Sequence, residues 1–272
     1  MFKGCTKLTD TPNLPATGLA DYCYSNMFQN CYSLSTVPEN LLPATDLAQR
    51  CYYSLFKSCS SLINAPTLPA STMVPYCYCQ MFDGCSSLFV PPELPATDLA
   101  SGCYGMMFRY CRSLPTAPNL PATGLAEQCY RSMFAACKSL TSVPSILPAT
   151  TLAPSCYYLM FDICSNLTTP PTLPATTLCS YCYYGMFWGT VITKAPDLPA
   201  TILAPSCYYY MFNSCSKLSS INVNFTTWNY AKNTSGWLEG VAANGEFTCP
   251  VGLDTTIRDE SHIPQNWNIV TK

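Results

Sequence analysis

The stretch MFRYCRSLPTAPNLPATGLAEQCYRS, residues 107–132, is one copy of a unit that recurs through most of this 272-residue chain. Copies begin at Met-Phe pairs, or at the variant Leu55-Phe56, and follow one another at intervals of 25 to 28 residues. A run of LPAT or LPAS occurs eight times along the way. A fixed period in this range is typical of a solenoid, in which each repeat covers the apolar side of its neighbour. We therefore expect about eight repeats of ~26 residues, over residues 1–221.

The second half of the unit predicts an amphipathic helix after each LPAT run. Apolar side chains recur at i, i+1, i+4, i+5, i+8, i+9 and i+12, on Leu125, Ala126, Cys129, Tyr130, Met133, Phe134 and Cys137. At 100° per residue these positions fill one half of a helical wheel and leave mostly polar residues on the other half. Thr123 lies where an N-cap residue would accept a hydrogen bond from the first turn. The tyrosine of each Cys-Tyr pair falls at the edge of the apolar arc, where we expect its ring to pack and its hydroxyl to reach water.

The first half of the unit, Leu-x-x-(Ala/Val)-Pro, predicts a strand of three or four residues. Examples are residues 34–37, 114–117 and 140–143, and the proline after each cannot donate to a neighbouring strand. One short strand and one helix per repeat predict an α/β fold, a leucine-rich-repeat solenoid with parallel strands on one face and helices on the other. Residues 222–272 lose the period and are interpreted as a C-terminal capping segment, with an irregular helix in 225–245 and short strands around Phe247 and Trp267.

The unit also resembles a known family. Cys-x-x-Leu followed by a strand and a proline, and then a helix closing on (A/M)F-x-x-C, resembles the BspA-like leucine-rich repeats of bacterial surface proteins over residues 1–221. The tail GEFTCP…SHIPQNWNIV, within residues 245–270, is similar to the closing segment often attached to such arrays. The unit departs from the commoner, shorter repeat of that family by its extra LPAT turn. The resemblance implies a solenoid fold and a role in adhesion at the bacterial cell surface.

Composition limits the classes of partner. The chain is 49% hydrophobic and 10% charged, with a formal net charge of −2 and no run of Lys or Arg. These values give no electrostatic reason to expect nucleic acid or an anionic membrane as a partner. No uninterrupted apolar stretch approaches the ~18–20 residues that cross a bilayer, so we expect no membrane insertion in this chain. Because Met1-Phe2 is in phase with the later Met-Phe pairs, we expect upstream repeats and any export signal to be absent from this sequence, and the protein to be secreted or held at the cell surface.

Nineteen cysteines are the most unusual feature of the composition. Most predicted helices contain two that are eight residues apart, as Cys129 and Cys137 are, and this helical separation of ~12 Å is beyond the ~7 Å limit for a disulfide. Equivalent cysteines of neighbouring repeats would lie a helix-to-helix distance of ~8–10 Å apart. We therefore expect buried, unbridged thiols that pack as small hydrophobic groups. Disulfides are common in exported proteins, so a location outside the cell would instead favour bridged cysteines.

Catalytic and metal-binding patterns are weak. His262 is the single histidine and lies in the C-terminal segment, and no G-x-S-x-G, Walker or G-x-G-x-x-G motif occurs. Cys77 and Cys79 form C-x-C without a second pair of metal ligands. Cys179 and Cys182 form C-x-x-C at the start of a predicted helix, where the helix dipole would lower a thiol pKa. We expect no enzyme activity, no cofactor and no metal; a thiol-redox protein that uses Cys179 and Cys182 is an alternative.

Two groups of side chains are candidates for ligand binding. The first is a polar row that follows the predicted strands: Asp10, Thr36, Asn64, Thr116, Ser142, Thr169 and Lys194. The second points outward from the predicted helices, just beyond the packing tyrosines: Tyr158, Tyr184 and Tyr209, with Tyr210 beside them. We predict a non-enzymatic binding or adhesion module that presents a repeat-built surface to a protein or glycan on a host or neighbouring cell. A carbohydrate-active protein that uses the outward tyrosines with scattered carboxylates is the other alternative.

Overall fold

The computed structural model describes residues 1–228 and 232–272. The chain coils into rungs that stack in parallel, and new rungs begin at eight Cys-Tyr pairs from Cys23-Tyr24 to Cys207-Tyr208, as in 129–155, 156–181 and 182–206. Parallel backbone pairing joins equivalent positions of neighbouring rungs, for example Asp98 with Gly124. The solenoid expected from the period is therefore confirmed.

The segment predicted to be helical is not a helix. Within the described ranges no α-helix occurs, and this part of each rung is a run of turns. Alternate amides bond three residues back in the same rung, as Tyr53 N does to Arg50 O at 3.1 Å. The amides between them bond to the next rung, as Tyr52 N does to Cys77 O at 3.1 Å. We call this arrangement the turn ladder; it covers residues 50–59 and the equivalent residues of the other rungs. It holds rungs together through backbone groups that an α-helix would use internally.

The turn ladder places a left-handed residue at every fourth position. Gln128, Ser132 and Ala136 have φ of 58°, 51° and 60°. Among residues 1–228 and 232–272, twenty non-glycine residues have positive φ, and glycine takes the position in some rungs, as Gly84 and Gly189 do. A left-handed conformation costs an ordinary residue roughly 1–2 kcal/mol. Bonds and packing between rungs must offset this strain, so the ladder is stable only as part of the stack.

Two of every four residues in the turn ladder point into the solenoid and stack on their equivalents. Phenylalanine rings from Phe2 to Phe212 lie 5.5–5.7 Å apart between neighbouring rungs. The tyrosines from Tyr52 to Tyr208 stack in the same way and are at most 2% exposed. The expectation that these hydroxyls reach water is wrong for Tyr52, Tyr78 and Tyr104, whose buried hydroxyls have no hydrogen-bond partner among the described residues. Stacked pairs of this kind contribute about 0.5–1.5 kcal/mol each beyond the area they bury.

All nineteen cysteines are free thiols, and sixteen of them are buried. Backbone hydrogen bonds join neighbouring rungs directly, so equivalent cysteines are not separated by the helix-to-helix distance expected from the sequence. One cysteine column also does more than pack: Cys137 Sγ donates to Phe108 O of the preceding rung at 3.0 Å, and six other members make the same contact at 3.0–3.2 Å. Thr190 takes this position in rung 182–206, but its hydroxyl donates to Phe187 O of its own rung at 2.9 Å. A small side chain with a hydrogen-bond donor therefore fills this position, although the bond to the preceding rung is made by the thiols.

The strand side is formed by the Leu-x-x-(Ala/Val)-Pro segments, and its pairing is sparse. Single parallel bridges join Asn64 with Val90, Thr116 with Ser142, and Lys194 with Ser220. The strands predicted at 114–117 and 140–143 are reduced to one bridge, and residues 34–37 form none. Proline after each segment removes a donor from every rung, which explains the short pairing.

Regular strands occur, within the described ranges, only near the C-terminus: β1 Ser220–Asn222, β2 Glu246–Cys249 and β3 Asn268–Thr271. They form a parallel sheet in that order, in which Ser220 pairs with Glu246 and Glu246 pairs with Asn268. β2 and β3 correspond to the strands predicted around Phe247 and Trp267, and the predicted boundary at 221/222 falls inside β1. The C-terminal segment thus continues the stack by adding parallel strands to its strand side.

The interior of the C-terminal segment is aromatic. Trp237 and Trp267 are at most 2% exposed, and their indole N–H groups donate to His262 O at 3.0 Å and Ala242 O at 2.8 Å. The helix predicted in 225–245 is wrong for residues 225–228 and 232–245, which form turns and irregular structure, and residues 229–231 of that prediction lie outside the described residues. Large side chains therefore fill the position that the stacked Phe and Tyr columns occupy in the rungs.

Candidate functional site

The structure brings the predicted polar row together along the strand side. Thr116 and Ser142 lie directly opposite one another, and Lys194 lies opposite Ser220 of the next rung. Six of the seven predicted residues are exposed; Asn64 is half-buried and donates from Nδ2 to Val37 O at 3.3 Å. The row therefore offers a hydroxyl, ammonium or carboxylate group in most rungs.

A cleft interrupts the strand side between rungs 156–181 and 182–206. We call it the strand-side cleft; residues 168–172 and 193–197 line it, and its volume is about 330 Å³. Two members of the polar row, Thr169 and Lys194, lie in it, together with the exposed Asp197. Asp197 Oδ1 accepts a hydrogen bond from Asn222 Nδ2 at 3.0 Å, which fixes the direction of the carboxylate. Sequence reasoning found the row but neither the cleft nor the part that Asp197 plays in it.

The outward tyrosines also come together, on the turn ladder and away from the polar row. Tyr158 and Tyr184 stack with ring centres 4.4 Å apart, and Tyr184 and Tyr209 with centres 5.1 Å apart. The Arg131 guanidinium covers Tyr158 at 5.1 Å, and the ring of Tyr210 meets Tyr209 edge-on at 4.3 Å. Ring faces in this group are therefore already in contact with protein, and ring edges and hydroxyls are what remain for a ligand.

The Tyr184 hydroxyl, at the centre of this group, is protonated at neutral pH. Burial, reinforced by the neighbouring Tyr158 hydroxyl, raises the pKa of Tyr184 to about 12. A sugar ring normally stacks on an exposed aromatic face, and the contacts between these rings leave little such surface. The group is thus better suited to stabilising the ladder than to stacking on a glycan.

Two charged sites on the turn ladder have no counterpart in the sequence predictions. Asp83 is 3% exposed and pairs with Lys57 Nζ at 3.1 Å and with Arg109 Nη2 at 2.7 Å. The hydrogen bonds with Asp83 raise the pKa of Arg109. In a later rung, burial raises the pKa of Asp162 to about 6. Their common signal is position, since each directly follows the phenylalanine of a Met-Phe pair, and Lys57 and Arg109 occupy the equivalent position in the neighbouring rungs.

His262 is engaged in local structure. Its Nδ1 lies 2.8 Å from Asp259 Oδ1, and its ring meets Trp228 edge-on at 4.9 Å. The same segment has a cavity of about 430 Å³ beside Arg258 and Asp259. Arg258 Nη1 donates to Trp267 O at 3.0 Å, so this guanidinium is used to hold the chain.

The C-x-x-C pair lacks the environment expected for a reactive thiol. Cys179 is half-buried, and Cys182 is fully buried in the cysteine column of the turn ladder. Because this segment is not helical, no helix dipole acts on the pair, and burial raises the pKa of Cys182 well above the ordinary thiol value. The predicted lowering of the thiol pKa is wrong for Cys182.

The described part of the chain also lacks two other kinds of site. Residues 1–228 and 232–272 contain no group of three or more His, Cys, Asp or Glu side chains arranged to hold a metal ion. Over the same ranges, no helix has the length and apolar character needed to cross a membrane.

Comparisons with known proteins add little to these structural observations. No family model and no curated protein matches the chain. Among solved structures, it is similar to a leucine-rich repeat protein of T. pallidum, with 14% sequence identity and a TM-score of 0.31, over 89% of this chain and 71% of that one. A likeness at this level carries no argument, so the solenoid assignment is based on the parallel contacts within the chain itself.

Proposed function

We propose that this chain is a non-enzymatic binding module, a leucine-rich-repeat-like array that presents its strand side to a protein or glycan on a host or neighbouring cell. The observation that carries the proposal is the polar row, in which exposed Thr, Ser, Asp and Lys side chains follow one another in register along a rigid stack. Repeat arrays commonly use such extended surfaces for binding.

A role in adhesion at the bacterial cell surface is the finer part of the proposal. It is supported by the resemblance of residues 1–221 to BspA-like repeats, through the Cys-x-x-Leu and (A/M)F-x-x-C patterns. The absence of enzyme activity is likewise proposed, and two observations favour it. His262 is held by Asp259 and Trp228, and the buried thiol of Cys182 stays protonated at neutral pH.

The test compares the two sides of the solenoid. Binding of the full chain to a glycan array and to purified host matrix proteins is measured before and after the double substitution Thr116→Arg and Ser142→Arg, which adds two positive charges to the polar row. Glu127→Arg changes the charge by the same amount at an exposed position beside the turn ladder. We expect the double variant to lose at least tenfold in affinity and Glu127→Arg to keep it. Equal binding by the parent and the double variant, with no loss on substituting any other residue of the polar row, would contradict the proposal.

A further inference from the structure

The strand-side cleft exists because two rungs that are joined on one side are separate on the other. On the turn ladder, Leu159 N bonds to Tyr184 O at 2.7 Å and Phe161 N bonds to Met186 O at 2.9 Å. On the strand side, Val191 N bonds to Leu167 O at 3.3 Å. Beyond this bond residues 168–172 and 193–197, all of them described, share no backbone hydrogen bond.

Each wall of the cleft is fastened to the rung behind it. Thr172 N bonds to Ser145 O at 2.8 Å, and Ala195 N bonds to Ser220 O at 2.9 Å. Pro170 in one wall and Pro196 in the other have no N–H to donate across the gap. The two walls therefore stay apart because of the bonds behind them and the prolines within them.

The groups that face the cleft are mostly polar. Its walls carry the exposed hydroxyls of Thr168, Thr169, Thr172 and Thr193. Lys194 and Asp197 supply one charge of each sign, and Asp197 uses one carboxylate oxygen on Asn222. The amides of Thr169 and Lys194 have no hydrogen-bond partner within the described parts of the chain. Pro171 and Pro196 are buried and provide an apolar floor.

We propose that this cleft binds a neutral glycan. The inference deepens the proposed function and is based on it. Sugar hydroxyls would donate to Asp197 and the threonine hydroxyls, and would accept from the Lys194 ammonium and the free amides. The C–H face of the sugar would pack on the proline floor. The volume lies at the lower end of the roughly 300–1,000 Å³ of ligand clefts, which suits about one or two sugar rings.

A glycan fits this site better than an added peptide strand. Strand addition needs an unbroken row of alternating N–H and C=O groups along one edge. Pro170 interrupts one wall and Pro196 the other, so neither offers such an edge. The charges of Lys194 and Asp197 balance, which favours a neutral sugar over a uronic acid or a sulfated one.

The experiment starts from the full chain on an array of neutral and acidic oligosaccharides, followed by titration calorimetry with the best neutral ligand. Asp197→Asn keeps the size of the side chain but removes the charge from its hydrogen bonds, and we expect affinity to fall about tenfold. Lys194→Ala should act in the same direction. Glu93→Gln is the matched control, because Glu93 follows a Pro-Pro pair in rung 77–102 as an exposed carboxylate outside the cleft. It should change affinity less than twofold, and all three variants should unfold like the parent.

The amide signals of Thr169 and Lys194 in NMR spectra give a second readout, since both should shift on adding the ligand. Binding confined to acidic glycans, or neutral binding that Asp197→Asn leaves intact, would overturn the cleft assignment. A protein ligand lost on Thr116→Arg and Ser142→Arg, without any glycan binding, would overturn the cleft and uphold the proposed function. Failure of every ligand class to bind would overturn both.

Discussion

The turn ladder and the strand side are made by the same rungs but are stabilised in different ways. On the turn ladder, every second amide bonds to the next rung, and the stacked columns beneath are almost fully buried. On the strand side, pairing is limited to single bridges until β1, and exposed polar side chains lie above it. The difference indicates a division of roles. One side supplies rigidity, and the other can leave backbone and side-chain groups free for a ligand because its own contribution to stability is small.

The largest expected effect tests whether stability resides in the turn ladder. Burial raises the pKa of Cys59, Cys77 and Cys129 to about 12 and that of Cys51 to about 11, from an ordinary value of 9.0. Between these values an unfolded thiol loses its proton while the folded one keeps it, so stability is lost as pH rises. At about 1 kcal/mol for each thiol, these four should lower the free energy of unfolding by about 4 kcal/mol from pH 9 to pH 10.

Urea unfolding followed by circular dichroism at a series of pH values measures this loss. Cys137→Thr is the control, because it removes one titrating group while copying the threonine found at position 190, so its loss with pH should be shallower. A free energy of unfolding that stays constant above pH 9 would contradict the account of the buried thiols.

The second prediction compares one substitution on the two sides. Phe108 is fully buried in the turn ladder, whereas Phe89 is 56% exposed on the strand side. Phe108→Ala removes two stacking contacts and leaves a cavity, so it should destabilise the protein by about 3–5 kcal/mol. Phe89→Ala should change stability by less than about 1 kcal/mol. Urea midpoints measure both, and equal losses would show that the strand side carries as much stability as the ladder.

The period and the polar row could be predicted from sequence, but the conformation of the ladder could not. Apolar residues at i, i+1, i+4 and i+5 satisfy both a helix and a run of turns. The length of the pattern distinguishes the two: Leu125 and Cys137 are twelve residues apart, and at 100° per residue a helix would rotate Cys137 by about 120° away from the first position. A run of turns repeats every four residues and would keep all these side chains on one side. The constant spacing of four residues was therefore the feature of the sequence that indicated turns instead of a helix.

Other features depend on contacts between rungs, and so no single unit reveals them. Thr169 and Lys194 fit the polar row by their position in the repeat, but the cleft between them arises from prolines in two different rungs. The Tyr158, Tyr184 and Tyr209 stack is visible as a column of equal letters. Arg131 covers one end of this stack and Tyr210 covers the other. These two contacts depend on side-chain packing, which the sequence alone does not specify.

The smallest expected effect concerns the strain in the turn ladder. Ile163 has a φ of 55° and is 46% exposed, and glycine takes the equivalent position at Gly84 and Gly189. Ile163→Gly relieves the left-handed strain of a β-branched residue and loses little burial, so it should stabilise the protein by about 1 kcal/mol. Ile146 is the matched control, because it is 44% exposed, lies on the strand side and has no positive φ. Ile146→Gly should destabilise by about 0.5–1 kcal/mol through added chain entropy. Shifts in urea midpoint give the sign of each stability change. Destabilisation by both substitutions would mean that the turn ladder stores no strain at Ile163.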